Sequence, residues 1–260
     1  MRRTAAVIAL LLLQASVAMP AVADQALNRQ CGISEELASA GDMRLPQLAS
    51  AIRQRKPVHI VVLGSGSSAA LPGLNRTVQS YATRLQAEIT RLFPGIAVTV
   101  SNKSARGQTA SQMLSRMVPE VLPEQPQLVV WQTGTTDAVS HVDVNQFGAT
   151  LHAGLATLAA GNIDVVLVTP QFSRRTSAMV DFDAYDDYMG WAASGGRALL
   201  FPRYAIMQYW ADTSFIEIDR GDGDLAGTAE RMHDCLARLL AEMIASAVRT
   251  DLNAGGAARQ

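Results

Sequence analysis

Short apolar segments alternate along this chain with segments of helical spacing, and this alternation constrains the fold more than any other feature. Apolar runs bounded by Gly, Pro or Asn are typical of buried strands. Such runs occur five times, the last one weak, at His59–Leu63, Ile96–Val100, Leu128–Trp131, Ile163–Val168 and Ala198–Phe201. Because strands that alternate with helices pair in parallel, the sequence predicts an α/β protein, a three-layer α/β/α sandwich with a parallel sheet of about five strands.

Helices are predicted between these strands. In the first, apolar residues recur with helical spacing from Thr77 to Phe93, and Pro94 and Gly95 end the helix. The others are predicted at Gln108–Met117, Val144–Ala160 and Tyr185–Ala193, followed by a last helix with Met232, Leu236, Leu239, Leu240, Met243 and Ile244 on one face. Parallel sheets of this kind bind ligands at the carboxyl ends of their strands, so we expect functional residues in the loops that follow each strand.

The length and net charge of the chain indicate one domain and argue against certain binding partners. The chain has 260 residues, 48% of them hydrophobic, and a net charge of −1. This length suits one large domain, predicted at residues 57–250, with an N-terminal segment at 24–56 tied to it and a flexible tail at 251–260. A nearly neutral chain gives no electrostatic case for binding nucleic acid or an anionic membrane.

The N-terminus has the order of a secretory signal peptide. Arg2 and Arg3 are followed by an apolar run from Ala5 to Met19 and by a small-residue cleavage site at Ala21–Ala23. An anchoring helix is the alternative, but the run is short for a membrane span and Pro20 ends it. We therefore predict removal of residues 1–23, a periplasmic or secreted protein, and no transmembrane segment after cleavage.

Cys31 and Cys235 are the only cysteines. In an oxidising compartment a lone pair of cysteines is expected to form a disulfide, here between the N-terminal segment and the last helix. The alternative is two buried free thiols.

Polar, glycine-containing loops lie where the predicted strands end and before the last helix. They are Gly64–Ser68, Asn102–Thr109, Gly134–Asp137 and Asp222–Gly227. In this order and spacing they resemble the four blocks of SGNH (GDSL-type) hydrolases, in particular exported bacterial members. Neighbouring segments that share the resemblance are Phe93–Gly95, Trp131–Gly134, Gly161–Gln171, Phe201–Tyr204 and Cys235–Ala237. The resemblance covers roughly Cys31 to Ala247 and implies an SGNH-hydrolase-like, flavodoxin-like fold.

The family mechanism requires a serine in the first block. That serine attacks an ester carbonyl, a histidine of the last block acts as its base, and an acid orients the histidine. Aligned on Gly64, the first block places Gly66 at the position of the serine, and glycine has no side chain with which to attack. In the last block Asp224 falls at the position of the acid, and Gly227 falls at that of the histidine.

The family also stabilises the oxyanion with a backbone N–H of the second block and an asparagine of the third. Gly107 matches the second-block glycine, whereas Thr136 stands two residues after Gly134 where the asparagine belongs. Loss of a serine nucleophile or its base costs about a millionfold in the subtilisin example, and loss of an oxyanion donor costs about a hundred- to a thousandfold. The resemblance therefore implies an SGNH fold without useful esterase activity.

Three residues are considered as weak substitutes for the lost catalytic groups. Ser65 and Ser67 flank Gly66, although in a Gly/Ser turn such hydroxyls commonly bond their own backbone. His233 lies about 9 Å along a helix from Gly227, which favours a partly exposed structural histidine over a base. Gln171, Tyr204 and Trp210 follow strand ends and are further candidates for the cleft.

Other patterns are weaker. Gly64-x-Gly66-x-x-Ala69 fits a dinucleotide fingerprint formally, but Leu71–Gly73 interrupts where its helix should begin. The aspartates between Asp219 and Asp224 could hold calcium, although their spacing does not match an EF-hand loop. We predict no cofactor and no metal.

Three functions are open at this point. The first is an exported, catalytically degenerate SGNH protein that binds a glycan or an acylated glycan or other acylated small molecule in its cleft. The second is an active acyl-esterase or acetyl-transferring enzyme on envelope carbohydrate that uses Ser65 or Ser67. The third is a non-catalytic interaction partner of an envelope protein. A histidine nitrogen near either serine would favour the enzyme, an aromatic cleft the sugar binder, and a filled cleft the interaction partner.

Overall fold

The computed structural model describes residues 26–39, 43–69, 78–196, 198–219 and 223–257. The predicted signal peptide, Leu71–Gly73 and Asp222 lie outside these residues.

Strands form one parallel sheet in the described part of the chain. They are β1 (Val58–Leu63), β2 (Val98–Asn102), β3 (Leu128–Gln132), β4 (Asp164–Val168) and β5 (Leu199–Phe201). Their order in the sheet is β2-β1-β3-β4-β5, and all neighbouring pairs are parallel. The predicted fold class is confirmed, and each predicted strand agrees with an observed one to within two residues.

Burial explains the apolar strands. The side chains of β3 and β4 are buried along the whole of each strand, as expected for central strands covered by helices on both faces. Strand β2 lies at an edge of the sheet and is only partly buried, which agrees with its polar residues Thr99, Ser101 and Asn102.

Helices before and after the strands have the following bounds. They are α1 (Glu35–Ala38), α2 (Pro46–Arg53), α3 (Tyr81–Leu92), α4 (Ala110–Arg116), α5 (Thr135–Val139), α6 (Val144–Ala160), α7 (Arg174–Ser177), α8 (Asp183–Ser194), α9 (Arg203–Asp212) and α10 (Leu225–Ala257). Residues 26–30 are also helical. Helix α10 includes residues 251–257, for which the sequence predicts a flexible tail.

Helix α3 begins later than the sequence predicts. Thr77 lies outside the described residues, and Val78 makes an isolated bridge rather than a helical turn. Ser80 adopts an extended conformation, and its Oγ accepts a hydrogen bond from the backbone N–H of Thr83. A serine cap of this kind satisfies one of the free N–H groups at a helix start, which explains why the helix begins at Tyr81.

The segment after α4 is wound irregularly. A π-helical turn spans Met117–Val121, and a 3₁₀ turn at Leu122–Glu124 follows. Pro119 lacks a backbone N–H and cannot make the ordinary helical bond, which accounts for a change of winding at this place.

A disulfide joins the two ends of the domain, as predicted. Cys31 and Cys235 are bonded, with 5.5 Å between their Cα atoms and 204 residues between them in sequence. Trp210 lies beside this bridge, and its Nε1 donates a hydrogen bond of 2.6 Å to the carbonyl of Cys31. The bridge therefore fixes the N-terminal segment against α10.

None of the helices in the described residues is long and apolar enough to cross a membrane.

Candidate functional site

A cleft of about 480 Å³ opens at the carboxyl ends of β1 and β3. The loops after β1 to β4 and one face of α10 line it. Of the predicted site residues, the cleft brings together Ser65, Gly66, Ser67, Gly107, Thr136, Gln171 and His233. The loops after the strands are therefore the parts of the chain that form it, as the topology predicts.

Gln132, the last residue of β3, organises the loop after β1. Its Oε1 accepts hydrogen bonds from the N–H of Ser65 at 2.9 Å and from the Oγ of Ser68 at 3.1 Å, and it contacts the Oγ of Ser67 at 3.5 Å. Gly64 must be glycine here, because a Cβ would lie 2.8 Å from the Oγ of Ser68. The Oγ of Ser65 bonds the Oγ1 of Thr136 at 2.9 Å.

Gly66, which the sequence alignment matches to the serine of the family, lies at the wall of the cleft. A Cβ built on Gly66 would meet no atom within 4 Å. The position therefore has room for a side chain, and glycine is not required there by packing.

Ser67 contacts a buried guanidinium. The Nη1 of Arg203 donates a hydrogen bond of 2.6 Å to the Oγ of Ser67, and its Nε donates to the carbonyl of Thr169 at 3.0 Å. Arg203 begins α9 and is 1% exposed. Burial lowers the pKa of Arg203 to about 10, so the group remains charged at neutral pH.

His233 is buried, and the prediction that it is partly exposed is wrong, because the ring packs against Tyr81 in the interior. Its Nδ1 accepts a hydrogen bond of 3.2 Å from the backbone N–H of Tyr81. Burial, with the nearby charge of Arg203, lowers the pKa of His233 to about 4. The ring is therefore neutral at physiological pH, with its proton on Nε2.

Neither serine is paired with a histidine. The hydrogen bonds of Ser65 and Ser67 to other described side chains run to Thr136, Arg203 and Gln132. The lone pair of His233 that could accept a proton is already bonded to the backbone of α3. The described part of the cleft therefore holds hydroxyl groups without a base.

Asp224 and Gly227 do not line the cleft. The Oδ1 of Asp224 accepts a hydrogen bond of 2.8 Å from the N–H of Gly227, at the start of α10. An aspartate at this place satisfies the free N–H groups of a helix start. The position of the family acid thus has a structural role in this chain.

The second and third blocks keep their backbone shape. Gly107 has a φ of +71° and Gly134 a φ of +88°, values that favour glycine. Asp137 of the third block is buried, and both its carboxylate oxygens accept from the N–H of Ala110 at the start of α4. Thr136, which the resemblance matches to the asparagine of the family, offers a hydroxyl rather than an amide donor.

The remaining candidates divide between the cleft and the core. Gln171 lines the cleft and its N–H donates to Thr135 at 3.0 Å. Tyr204 and Trp210 are buried and lie among the core residues instead. The described lining contains neither Trp nor Tyr, so the aromatic cleft that would favour a sugar binder is not found there.

Several residues of the site were not singled out from the sequence, among them Arg106 and Thr135 of the lining and, more informatively, Gln132 and Arg203. Gln132 directly follows the predicted third strand, and Arg203 follows the predicted fifth strand. A polar residue at the end of an apolar strand is the sequence signal that could have identified Gln132. Arg203 gives a weaker signal, because only the fold brings the start of α9 to the loop after β1.

A family model matches most of the chain. Residues 30–250 match the model of the Non-GDSL lipase-like family. The chain belongs to this family. The SGNH resemblance predicted from the four blocks is therefore confirmed.

Solved structures of SGNH-type esterases share the fold of this Non-GDSL lipase-like protein. Axe2, an acetylxylan esterase from Geobacillus stearothermophilus, superposes with a TM-score of 0.55 at 19% identity, covering 72% of this chain and 94% of Axe2. TesA superposes with a TM-score of 0.55 at 22% identity, covering 70% of this chain and 97% of TesA. A comparison with curated proteins found no match.

No three His, Cys, Asp or Glu side chains lie close enough to share a metal ion in the described ranges.

Proposed function

We propose that this chain is a non-hydrolytic member of its family that binds a carbohydrate, plain or acylated, in the cleft. One observation carries the proposal: the described residues of the cleft hold no pair of nucleophile and base. The block alignment matches Gly66 to the serine of the family, and the Nδ1 of His233 is engaged by the backbone of Tyr81. An active serine esterase needs a base within hydrogen-bond reach of its serine hydroxyl.

The chemistry of the lining supports a polyol ligand. Ser65, Thr135, Thr136 and Gln171 present hydroxyl and amide groups in a cleft whose volume, about 480 Å³, lies within the ordinary range for small-molecule sites. The name of Axe2 records an acetylated xylan as the substrate of that protein. We extend only the class of ligand, carbohydrate, to this chain. Aromatic stacking is not a source of affinity in this proposal.

We further propose that the protein is exported. The order of charged, apolar and small residues at the N-terminus and the Cys31–Cys235 bridge support this location, since disulfides persist in oxidising compartments.

One observation favours a second candidate, an acyl-esterase that uses Ser67. The guanidinium of Arg203 touches its Oγ at 2.6 Å and would stabilise a serine alkoxide. The proton of Ser67 nevertheless has no described base to receive it, which is why we rank this activity second.

Hydrolysis of p-nitrophenyl acetate together with fluorophosphonate labelling tests both functions. The disulfide-bonded protein without residues 1–23 should show no turnover above a heat-inactivated control and no label by mass spectrometry. The variant Gly66→Ser should stay unlabelled too, because its new hydroxyl fits the open space but meets no free base. A label on Ser67, lost in Ser67→Ala, would overturn the non-hydrolytic proposal and establish the esterase.

A further inference from the structure

Hydrogen-bond donors are in excess in the cleft. The N–H of Ser65 fixes the orientation of the Gln132 amide, because only the Oε1 can accept from it. The Nε2 of Gln132 is consequently a donor, and it is buried without a hydrogen-bond partner among the described residues. This nitrogen is buried, so it lies behind the wall of the cleft and adds an unpaired donor near the loop after β1 without contacting a ligand directly.

Ser67 and His233 add donors in the same place. The Oγ of Ser67 accepts from Arg203, and its O–H donates only a long hydrogen bond of 3.5 Å to the Oε1 of Gln132, which a closer acceptor on a ligand would replace. The Nδ1 of His233 is occupied, and the neutral ring therefore carries a donor at Nε2.

The charge in and below the cleft is positive. Arg106 lies exposed at the rim, and the charged Arg203 lies buried beneath Ser67 with its Nη2 unpaired. Neither arginine forms an ion pair with a described residue, and the described lining contains no Asp or Glu. A buried cation without a counter-ion is costly, and an anion in the cleft would offset that cost.

We propose that the carbohydrate bound in the cleft carries a carboxylate, held by Ser67 and Arg106 above the buried charge of Arg203. This inference rests on the proposed function and specifies its ligand as an acidic sugar. A carboxylate is favoured because the O–H of Ser67 and the guanidinium of Arg106 both donate, and hydrogen bonds to a charged acceptor are stronger than those to a neutral one.

Calorimetric titration with matched sugars tests the charge. The probes are trigalacturonate, its methyl ester, the neutral galactose trimer, galactose 6-phosphate and acetate, each added to the disulfide-bonded protein without residues 1–23. Trigalacturonate should bind at least about tenfold more tightly than its ester and the neutral trimer, and added salt should weaken it.

Variants locate the anion. Arg106→Gln and Ser67→Ala should each reduce the affinity for trigalacturonate by about tenfold and reduce the affinity for the neutral trimer by clearly less. Lys56→Gln removes the same charge near the start of β1, at the opposite end of the sheet, and should change neither. Thermal unfolding of each variant checks that the fold is retained.

Any other result of the titrations would overturn a specific part of the two proposals. Equal binding of acid, ester and neutral trimer would overturn the carboxylate and leave the carbohydrate proposal standing. Binding of the sugar phosphate in preference to trigalacturonate would overturn the choice of carboxylate. Acetate as tight as trigalacturonate would overturn the carbohydrate and keep the anion, and no binding of any probe would overturn both.

Discussion

At the scale of single residues, His233 shows how burial removes a catalytic capacity. Its accepting nitrogen bonds the backbone of Tyr81, and its pKa is lowered to about 4 chiefly by burial. A histidine held neutral in the fold contributes stability that is fully present above its unfolded pKa of about 6.5 and is lost as the pH falls toward 4.

This sign leads to a prediction for His233→Asn, whose amide oxygen can still accept from Tyr81. The free energy of unfolding of the wild type minus that of the variant should fall by about 2–3 kcal/mol between pH 7.5 and pH 4.5. Chemical denaturation at a series of pH values measures it. Asp164 and Asp186, whose pKa burial raises to about 6, act with the opposite sign, but both proteins contain them and they cancel in the difference. A difference that does not change with pH would contradict the prediction.

The residue scale also marks the limit of sequence reasoning. Gly66 can be matched to a family position from the sequence alone, because its block is short and its positions can be counted. The contact between Arg203 and Ser67 cannot be predicted in this way, because these residues are 136 positions apart and only the sheet order brings them together. The unpaired donor of Gln132 likewise depends on which amide oxygen contacts which N–H, a property of geometry alone.

At the scale of elements, helix α6 packs unusually closely because of two glycines. A Cβ on Gly154 would lie 2.4 Å from the ring of Trp131 in β3, and one on Gly148 would lie 2.0 Å from the ring of Tyr188 in α8. The apolar residues of this segment and the glycine that follows it predict a helix, but they do not predict how near that helix approaches its neighbours.

Gly154→Ala should therefore destabilise the protein by about 1–3 kcal/mol, since overpacking outweighs the better helix propensity of alanine. Gly190 in α8 is the matched control, because its Cβ would meet only Leu200, at 4.0 Å. Gly190→Ala should stabilise by up to about 1 kcal/mol. Equilibrium unfolding in guanidinium compares the two, and equal effects would show that packing at Gly154 is not limiting.

At the scale of the whole molecule, the sheet was the part most accessible from sequence. Continuous apolar strands and short loops leave little choice but a parallel sheet between helices, and all five strands were found. The start of α3 was missed because Val78 continues the helical spacing, whereas the cap at Ser80 decides the boundary. The apolar pattern favours an earlier helix start, but the serine cap determines where the helix begins.

The Cys31–Cys235 bridge is expected to be the largest single covalent contribution to stability. Closing a loop of 204 residues corresponds to about 5 kcal/mol in the chain-entropy model, as an upper value. The double variant Cys31→Ser/Cys235→Ser should lower the free energy of unfolding by up to this amount while leaving the cleft intact. Denaturant unfolding measures the loss, and unchanged stability would mean that non-covalent contacts, such as the bonds of Leu45 to Asp251 and of Leu48 to Asp164, suffice to hold the N-terminal segment.

The distance of the two cysteines along the chain also determines when their disulfide can form. Cys31 emerges 204 residues before Cys235 during synthesis, which at about 5–20 residues per second is a wait of roughly 10 to 40 s. Throughout that interval the first thiol is without its native partner, and any other thiol it meets can form a mixed disulfide with it. The disulfide can therefore form only after the start of α10 has been synthesised, which is later than the synthesis of all five described strands.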